Sequence, residues 1–419
     1  MIQKRKFVFL ACLLLIALFP VVVRAEEISD SYRLSKVLVL SRHNLRTPTA
    51  GGAQVLSALT PHEWAQWTAA PGNLSMKGAE LETLMGQYFR QWLENEDLID
   101  ENYVQAAGEM RFYANSFQRT IATARYFAAG MLPMADVRVE RRLALDEADP
   151  VFLPGLGEIS DDFRTRAIAE LDAQGGIKGL THKLEKETAL LSDVLDFKDS
   201  AYGKENGMAA FSTDDVEYEL DTLRISGSFR LAMRASDALT LQYYEGNHST
   251  DDSFGHAMTT EDWRGIARIK DMGILALFRM PTLSGRLEYP LISEMRNELL
   301  LDGRKFTFLC GHDINLSTVL SALGVEDFKL PDTIEEKTPI GAKLVVEKRL
   351  DENDAAYASL KLVYQSAEQM RERTPLTMDA PPMIFPLRLS GMQANADGLY
   401  PFDEVVRRMD EAIAAGQEE

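Results

Sequence analysis

Cysteine is nearly missing from these 419 residues: only Cys12 and Cys310 occur. Cys12 lies in a leader-like stretch, so the rest of the chain keeps one thiol and can close no intramolecular disulfide. Zinc sites built from cysteine pairs are excluded with it. Histidine is also sparse, and the six, at 43, 62, 182, 248, 256 and 312, show no metal-ligand spacing such as His-Glu-x-x-His. Basic residues are a minority, 45 against 64 acidic ones, for a net charge of −19. Nucleic acid and anionic lipid are poor partners for such a chain. Long apolar runs are confined to the start.

That start reads as an address. Lys4-Arg5-Lys6 precedes an apolar run, 7–23, and Val23-Arg24-Ala25 offers a small-residue cleavage site before Glu26-Glu27. This is the pattern of a secretory signal peptide over residues 1–25, with a retained anchor as the alternative. The expected location is periplasmic or secreted, with no stable membrane association after cleavage. Removal leaves 41 basic and 64 acidic residues, net −23. An anionic substrate must then be captured by a local cluster of arginines against an unfavourable overall field. Oligomeric state is not legible.

The stretch that organises the rest follows. Val37-Leu38-Val39-Leu40 has no internal polar residue and reads as a strand buried on both faces. It breaks into Ser41-Arg42-His43-Asn44-Leu45-Arg46-Thr47-Pro48-Thr49, and Pro48 forbids continuation. A histidine flanked by two guanidiniums thus sits beyond the carboxyl end of a buried strand, where open α/β sheets place ligands. Taken alone, an Arg-His-x-x-Arg turn is more often a solvated basic loop. Guanidinium forks do, however, match phosphate oxygens.

Two further junctions of the same kind occur. A strand at 110–114 leads through Asn115-Ser116-Phe117-Gln118 to Arg119, at the mouth of a helix ending near Gly130. A strand at 305–310 leads through Gly311 to His312 and Asp313, opening a helix to Leu323. Elsewhere, Ser75 should cap a helix to about Leu93, and 136–140 is a candidate strand. Trp64 and Trp67 are core or pocket wall. Helical patterns dominate 141–256, at 161–173, 177–195 and 227–245, and helices return at 260–277 and 288–300. Strands at 341–347 and 358–364 and a helix at 401–414 complete the chain. Residues 26–140 and 257–419 therefore read as one α/β unit, with 141–256 a mostly helical cap inserted into it.

Arg42, His43, Arg46, Arg119, His312 and Asp313 together suffice for phosphomonoester hydrolysis without a metal. Three guanidiniums and an imidazolium can neutralise phosphoryl oxygens. An imidazole can attack phosphorus and form a phosphohistidine. A carboxylic acid can protonate the leaving alkoxide, then deprotonate the incoming water. Because an Asp titrates low, the rate should peak at acidic pH.

Arg42-His43-Asn44-Leu45-Arg46-Thr47-Pro48 with Gly311-His312-Asp313 resembles the histidine acid phosphatases, most closely the bacterial periplasmic glucose-1-phosphatase and phytase branch. The segments 113–120, 241–246, 338–341 and 363–369 match in order, so the resemblance spans nearly the whole chain after the leader. It implies a phosphoglycerate-mutase-like fold, with a mainly parallel central sheet flanked by helices and an inserted helical cap, and no cofactor or metal. It implies His43 as nucleophile, Asp313 as proton donor, and Arg42, Arg46, Arg119 and His312 as phosphate ligands, with Thr49 a weaker candidate for a substrate contact.

Two departures stand out. Most of the wider family has Gly where this chain has Asn44, a residue that tolerates a left-handed backbone. Exported relatives carry disulfides, and Met392 and Tyr400 stand where cysteines are expected. The implied substrate is a small phosphomonoester, a sugar phosphate first and an inositol phosphate (phytase) as the alternative. A non-catalytic phosphate-ester binding protein and a cytosolic phosphomutase are weaker readings. The segment 212–225 matches no relative, so no specificity residue is assigned there.

Overall fold

The computed structural model describes residues 28–417 except 30, 68, 105 and 247–249; the expected signal peptide lies outside the described residues. Strand β1 (Arg33–Arg42) is followed by helices α1 (Ala50–Leu56) and α2 (Met76–Asn95), strand β2 (Met110–Ala114) and helix α3 (Gln118–Met131). A largely helical stretch holds α4 (Asp161–Ala173), α5 (Gly176–His182), α6 (Glu185–Val194), α7 (Ala201–Asn206), the short strands β3 (Glu217–Glu219) and β4 (Arg224–Ser226), and α8 (Ser228–Glu245). Then come α9 (Thr260–Phe278), α10 (Pro281–Leu300), β5 (Phe306–Gly311), α11 (Asp313–Ala322), β6 (Lys343–Leu350), β7 (Ala356–Tyr364), α12 (Ala367–Glu372), β8 (Met383–Pro386), β9 (Tyr400–Pro401) and α13 (Phe402–Gln417).

The fold is α/β with helices on both faces, and its sheet is mixed. The strand order is β2-β5-β1-β6-β7-β8, with β9 also on β7. β2, β5 and β1 run parallel, whereas β6 to β9 pair antiparallel. The expected parallel sheet thus describes the half that carries the site. Only the short turn 351–355 separates β6 from β7, and a link that short permits only an antiparallel return.

β1 shows why the centre is stable. Val37 and Val39 join an apolar cluster with Phe89, Phe127 and Phe308, while Leu38 and Leu40 join a second cluster with Leu291, Leu316 and Met409. The alternation of period two sends successive side chains to opposite faces, and helices cover both.

Several local expectations hold. The Ser75 hydroxyl accepts from Gly78 N–H at 3.1 Å, capping α2. Others change. At 136–140 only Glu140 bridges to Tyr113. The single helix expected at 177–195 is broken between α5 and α6, where Leu184 turns into the core. α10 begins at Pro281, a favoured first helical position, rather than at 288. The hairpin β3–β4 was hidden by the polar texture of 212–221. Trp64 and Trp67 are partly buried against the cluster built by α6, α8 and α9, which also takes in Leu45, Ile334 and Ile340 from loops of the sheet.

Candidate active site

The three parallel strands end side by side. Arg42 is in register with Gly311, His43 N–H donates to Gly311 O at 3.0 Å, and Asn115 N–H donates to Cys310 O at 3.0 Å. The junctions seen in the sequence as separate events therefore share one edge, and Arg42, His43, Arg46, Arg119, His312 and Asp313 are brought together. Thr49 is exposed at the head of α1, and its side chain caps nothing there.

The first loop is held from below. Asn44 is not in the left-handed region. Its amide donates to Glu82 at 2.7 Å, its side-chain oxygen accepts from Leu45 N–H at 2.8 Å, and Thr123 accepts its backbone N–H at 3.0 Å. Glu82 pairs with Lys343 at 2.8 Å, both fully buried. Asn44 thus replaces the family's Gly as a hydrogen-bonding anchor rather than as a backbone permit. Gly341 makes room for it: its φ is +73°, and a Cβ there would meet the Asn44 amide at 2.7 Å.

The histidines are poised differently. His43 Nδ1 lies 2.8 Å from Asn44 O. A carbonyl only accepts, so Nδ1 carries the proton and Nε2 keeps its lone pair. Burial, Arg119 and His312 push the His43 pKa well below its ordinary value, so the ring is neutral. The His312 ring centroid lies 5.5 Å from that of His43. Burial and Arg119 push the His312 pKa down to about 3. Its Nε2 is 2.9 Å from Asn115 Nδ2, and Asn115 Oδ1 is already committed to the N–H groups of Ser116 and Asp149. Nε2 therefore accepts, and the remaining proton sits on Nδ1, beside Arg119 NH2 at 3.4 Å. Two donors, His312 Nδ1 and Arg119, face the same space.

The cations have unequal company. Arg42, 1% exposed, donates to Glu335 at 2.7 Å and to Thr338 O at 2.6 Å, and lies 3.4 Å from Asp313. Arg46 pairs with Asp237 on α8 at 3.0 Å. Arg119 has no carboxylate within ion-pair distance among the described residues and packs over the Phe117 ring. Burial and Arg46 push its pKa down to about 10. The Nε atoms of all three are buried without a hydrogen-bond partner. Buried orphan donors are costly, and convergent ones mark the place of an anion.

Asp313 is the first residue of α11. The N-cap position before it is held by His312. Burial alone would raise its carboxyl pKa, yet the Arg42 guanidinium and the Lys270 ammonium outweigh that and hold it well below the usual range. Lys270 on α9, Asp271 and Glu335 were missed in the sequence. Lys270 Nζ lies 2.9 Å from Glu335 and 3.6 Å from both Asp313 and Asp271. Burial is the main cause that pushes Asp271 up to about 6. Lys270 and Asp271 sit mid-helix with no motif around them. Asn115 and Thr338 fell in matched segments without an assigned role. Among the described residues no group of three or more His, Cys, Asp or Glu is arranged to hold a metal ion.

Residues 33–154 match the family model of the histidine phosphatase superfamily, branch 2. The glucose-1-phosphatase of Salmonella typhimurium is 33% identical, over 91% of this chain and 93% of that protein. The chain belongs to the histidine phosphatase superfamily. Within this family, phytase AppA of Escherichia coli is 27% identical over 92% of this chain and 93% of its own. The apo form of Hafnia alvei phytase shares the fold, with a TM-score of 0.83 and 24% identity over 93% of this chain and 100% of that one.

Proposed function

We propose that this histidine phosphatase is an exported acid phosphomonoesterase that hydrolyses sugar phosphates through a phosphohistidine on His43. The observation that carries the reading is the neutral His43 imidazole, its free Nε2 set among three guanidiniums with unpartnered Nε atoms. Family membership and the glucose-1-phosphatase relative support it. In the first step the His43 Nε2–phosphorus bond forms and the ester phosphorus–oxygen bond breaks. Protonated Asp313 gives its proton to the leaving alkoxide. In the second, Asp313 takes a proton from water, the water oxygen bonds to phosphorus, and the nitrogen–phosphorus bond breaks. Arg42, Arg46, Arg119 and His312 Nδ1–H hold the phosphoryl oxygens throughout.

The empty site keeps Asp313 ionised, as its carboxyl pKa is held low. An arriving phosphate places negative charge among the same cations, weakens their hold on Asp313 and raises its pKa. Substrate binding and acid function are coupled in this way. The segment 141–256 serves as a cap beside this site, with Asp237 of α8 fixing Arg46. Inositol phosphates are the second substrate class, supported by the phytase relative.

The test is a phosphomonoester panel, including glucose 1-phosphate and phytate, at mildly acidic pH with and without chelator. Rapid quenching with labelled substrate should trap an acid-labile phosphoenzyme, and His43→Ala should lose turnover by roughly 10⁴-fold or more. A normally active His43→Ala protein, or loss of activity on chelation restored by a divalent ion, would overturn the mechanism.

A further inference from the structure

Helix α10 carries an acid on its buried face. Ser284, Glu288, Leu291, Ile292 and Met295 recur at helical spacing and are all buried. Glu288 is 1% exposed, one turn from Leu291 and Ile292 of the apolar cluster that takes in Leu38 and Leu40. Its carboxyl reaches the side chain of Asn315 on α11, whose Nδ2 lies 3.2 Å from one oxygen and 3.5 Å from the other. It forms no ion pair among the described residues. Charged groups on the surrounding elements are engaged elsewhere: Asp313 of α11 with Arg42 and Lys270, Asp410 of α13 with Arg296, Glu170 of α4 with the Thr282 hydroxyl, and Asp149 with the Tyr113 hydroxyl. On α10 itself, Arg286 donates to Leu156 O at 3.2 Å. A carboxyl buried without a cation keeps its proton, and burial holds the Glu288 pKa well above its ordinary value.

Asn315 clamps the turn that carries His312 and Asp313. Its Oδ1 accepts the His312 N–H at 2.8 Å, and Nδ2 also donates to Phe152 O at 2.5 Å. A Cβ on Gly311 would meet the same Oδ1 at 2.4 Å, so the amide lies directly against the turn. Gly311 O in its turn accepts the His43 N–H at 3.0 Å. Both amide hydrogens of Asn315 and its oxygen are therefore committed, one hydrogen to Glu288. Ionising Glu288 would set an unpaired charge against this amide. Asn315 can turn to meet that charge only by loosening its hold on Phe152 O and the His312 N–H.

We propose that Glu288 is a positioning residue for the phosphatase reaction: through Asn315 it holds the 311–313 turn in working shape while its carboxyl is protonated, and releases it when that proton leaves on the alkaline side. The inference rests on the roles given to His312 and Asp313 above and adds a proton-dependent support outside the phosphate cluster. The unfolded chain loses this proton near the ordinary glutamate value of about 4.3. The folded chain keeps it to higher pH, so the stability it contributes is lost as pH rises.

The experiment records kcat and kcat/KM for glucose 1-phosphate from pH 4 to pH 9, and Tm at pH 5 and pH 8, in the wild type, Glu288→Gln and Glu288→Leu. Gln offers Asn315 the same carbonyl but cannot ionise. Its alkaline limb should move up by roughly half a pH unit or more, and its Tm relative to wild type should be higher at pH 8 than at pH 5. Glu288→Leu leaves Asn315 short of an acceptor and should lose kcat about tenfold or more at pH 5, a loss that Glu288→Gln largely rescues. An alkaline limb in Glu288→Gln superimposed on that of wild type, or a Tm difference equal at the two pH values, overturns the inference. A protein that hydrolyses no phosphomonoester overturns the catalytic reading instead, and the Tm comparison alone then decides whether Glu288 is a protonated support.

Discussion

On the antiparallel side of the sheet, Glu347 of β6 is fully buried between Arg349, 2.8 Å away, and Lys361 of β7, while Arg349 also holds Glu96 at 2.8 Å. At the carboxyl ends of the parallel strands the same residue types are buried, with a different outcome. There Arg42 and Arg46 have carboxylates but keep Nε unpartnered, and Arg119 has no carboxylate partner among the described residues. The first cluster closes on itself, cation against anion. The second holds donors in reserve around a common space. Buried charge alone therefore does not mark a functional site. Several cations gathered on one neutral imidazole, as Arg119, Arg46 and Arg42 are on His43, do.

Substituting matched residues in the two clusters sharpens the contrast. The largest effect is expected at Asp313. Asp313→Asn should slow alkyl phosphate hydrolysis by about 10²- to 10⁴-fold, the usual reach of a general acid, and aryl phosphate hydrolysis much less, because a phenolate leaves without a proton. Glu347→Gln should lower Tm and leave the alkyl-to-aryl ratio unmoved. Full rates on both ester types in Asp313→Asn would shift the donor elsewhere, and Asp271, the buried carboxyl pushed up to about 6 beside Lys270, is the next candidate.

A smaller effect separates the arginines. Arg119→Ala should weaken competitive inhibition by inorganic phosphate about 30-fold, the loss of one charge-assisted contact of about 2 kcal/mol. Arg119→Lys should restore only part of it, since the fork is lost. Arg349→Ala should do the reverse, lowering Tm by removing one of the two cations that hold buried Glu347, with the inhibition constant unchanged. Equal phosphate inhibition in Arg119→Ala and wild type would remove Arg119 from the site.

The smallest effect is a pH dependence. His312 has a folded pKa of about 3 against about 6.5 when unfolded. Between these values the unfolded chain binds the proton and the folded chain does not. Stability is therefore lost as pH falls from 6.5 toward 3, by up to about 1.4 kcal/mol per pH unit from this one group. Unfolding followed at pH 7 and pH 5 should show a shallower decline in His312→Gln, and added phosphate should oppose the decline in the wild type. Identical slopes in the two proteins would show that the His312 environment is not what the geometry implies.

The site was legible where chemistry sits in short motifs. Arg42, His43, Arg46, Arg119, His312 and Asp313 each lie at a strand-to-helix junction, and parallel strands of one sheet bring such junctions to one edge. Residues that act from another element were not legible. Lys270, Asp271 and Asp237 sit within regular helices, where an isolated charge reads as a solvated face, and only the packing of α8 and α9 brings them inward. The antiparallel part of the sheet was missed for a related reason. A buried strand with both faces covered reads alike whichever way its neighbour runs, and direction depends on connections rather than on composition. Asn44 was misjudged because its backbone was considered before its side chain, whose nitrogen and oxygen are both hydrogen-bonded and explain the residue better.

The register of β1 also fixes when a working site can exist. Its parallel partner begins at Phe306, paired to Val37, and its antiparallel partner follows at Lys343, paired to Ser41. At 5–20 residues per second, roughly fifteen to fifty seconds of synthesis separate β1 from the first strand that can flank it. Contacts this remote make folding slow and place assembly late. His43, the proposed nucleophile, is thus made early and has no flanking strand until β5, which leads to Asp313, the proposed proton donor, has been added. An amino-terminal fragment holding Arg42, His43 and Arg46 has no sheet to hold them and no means of binding phosphate.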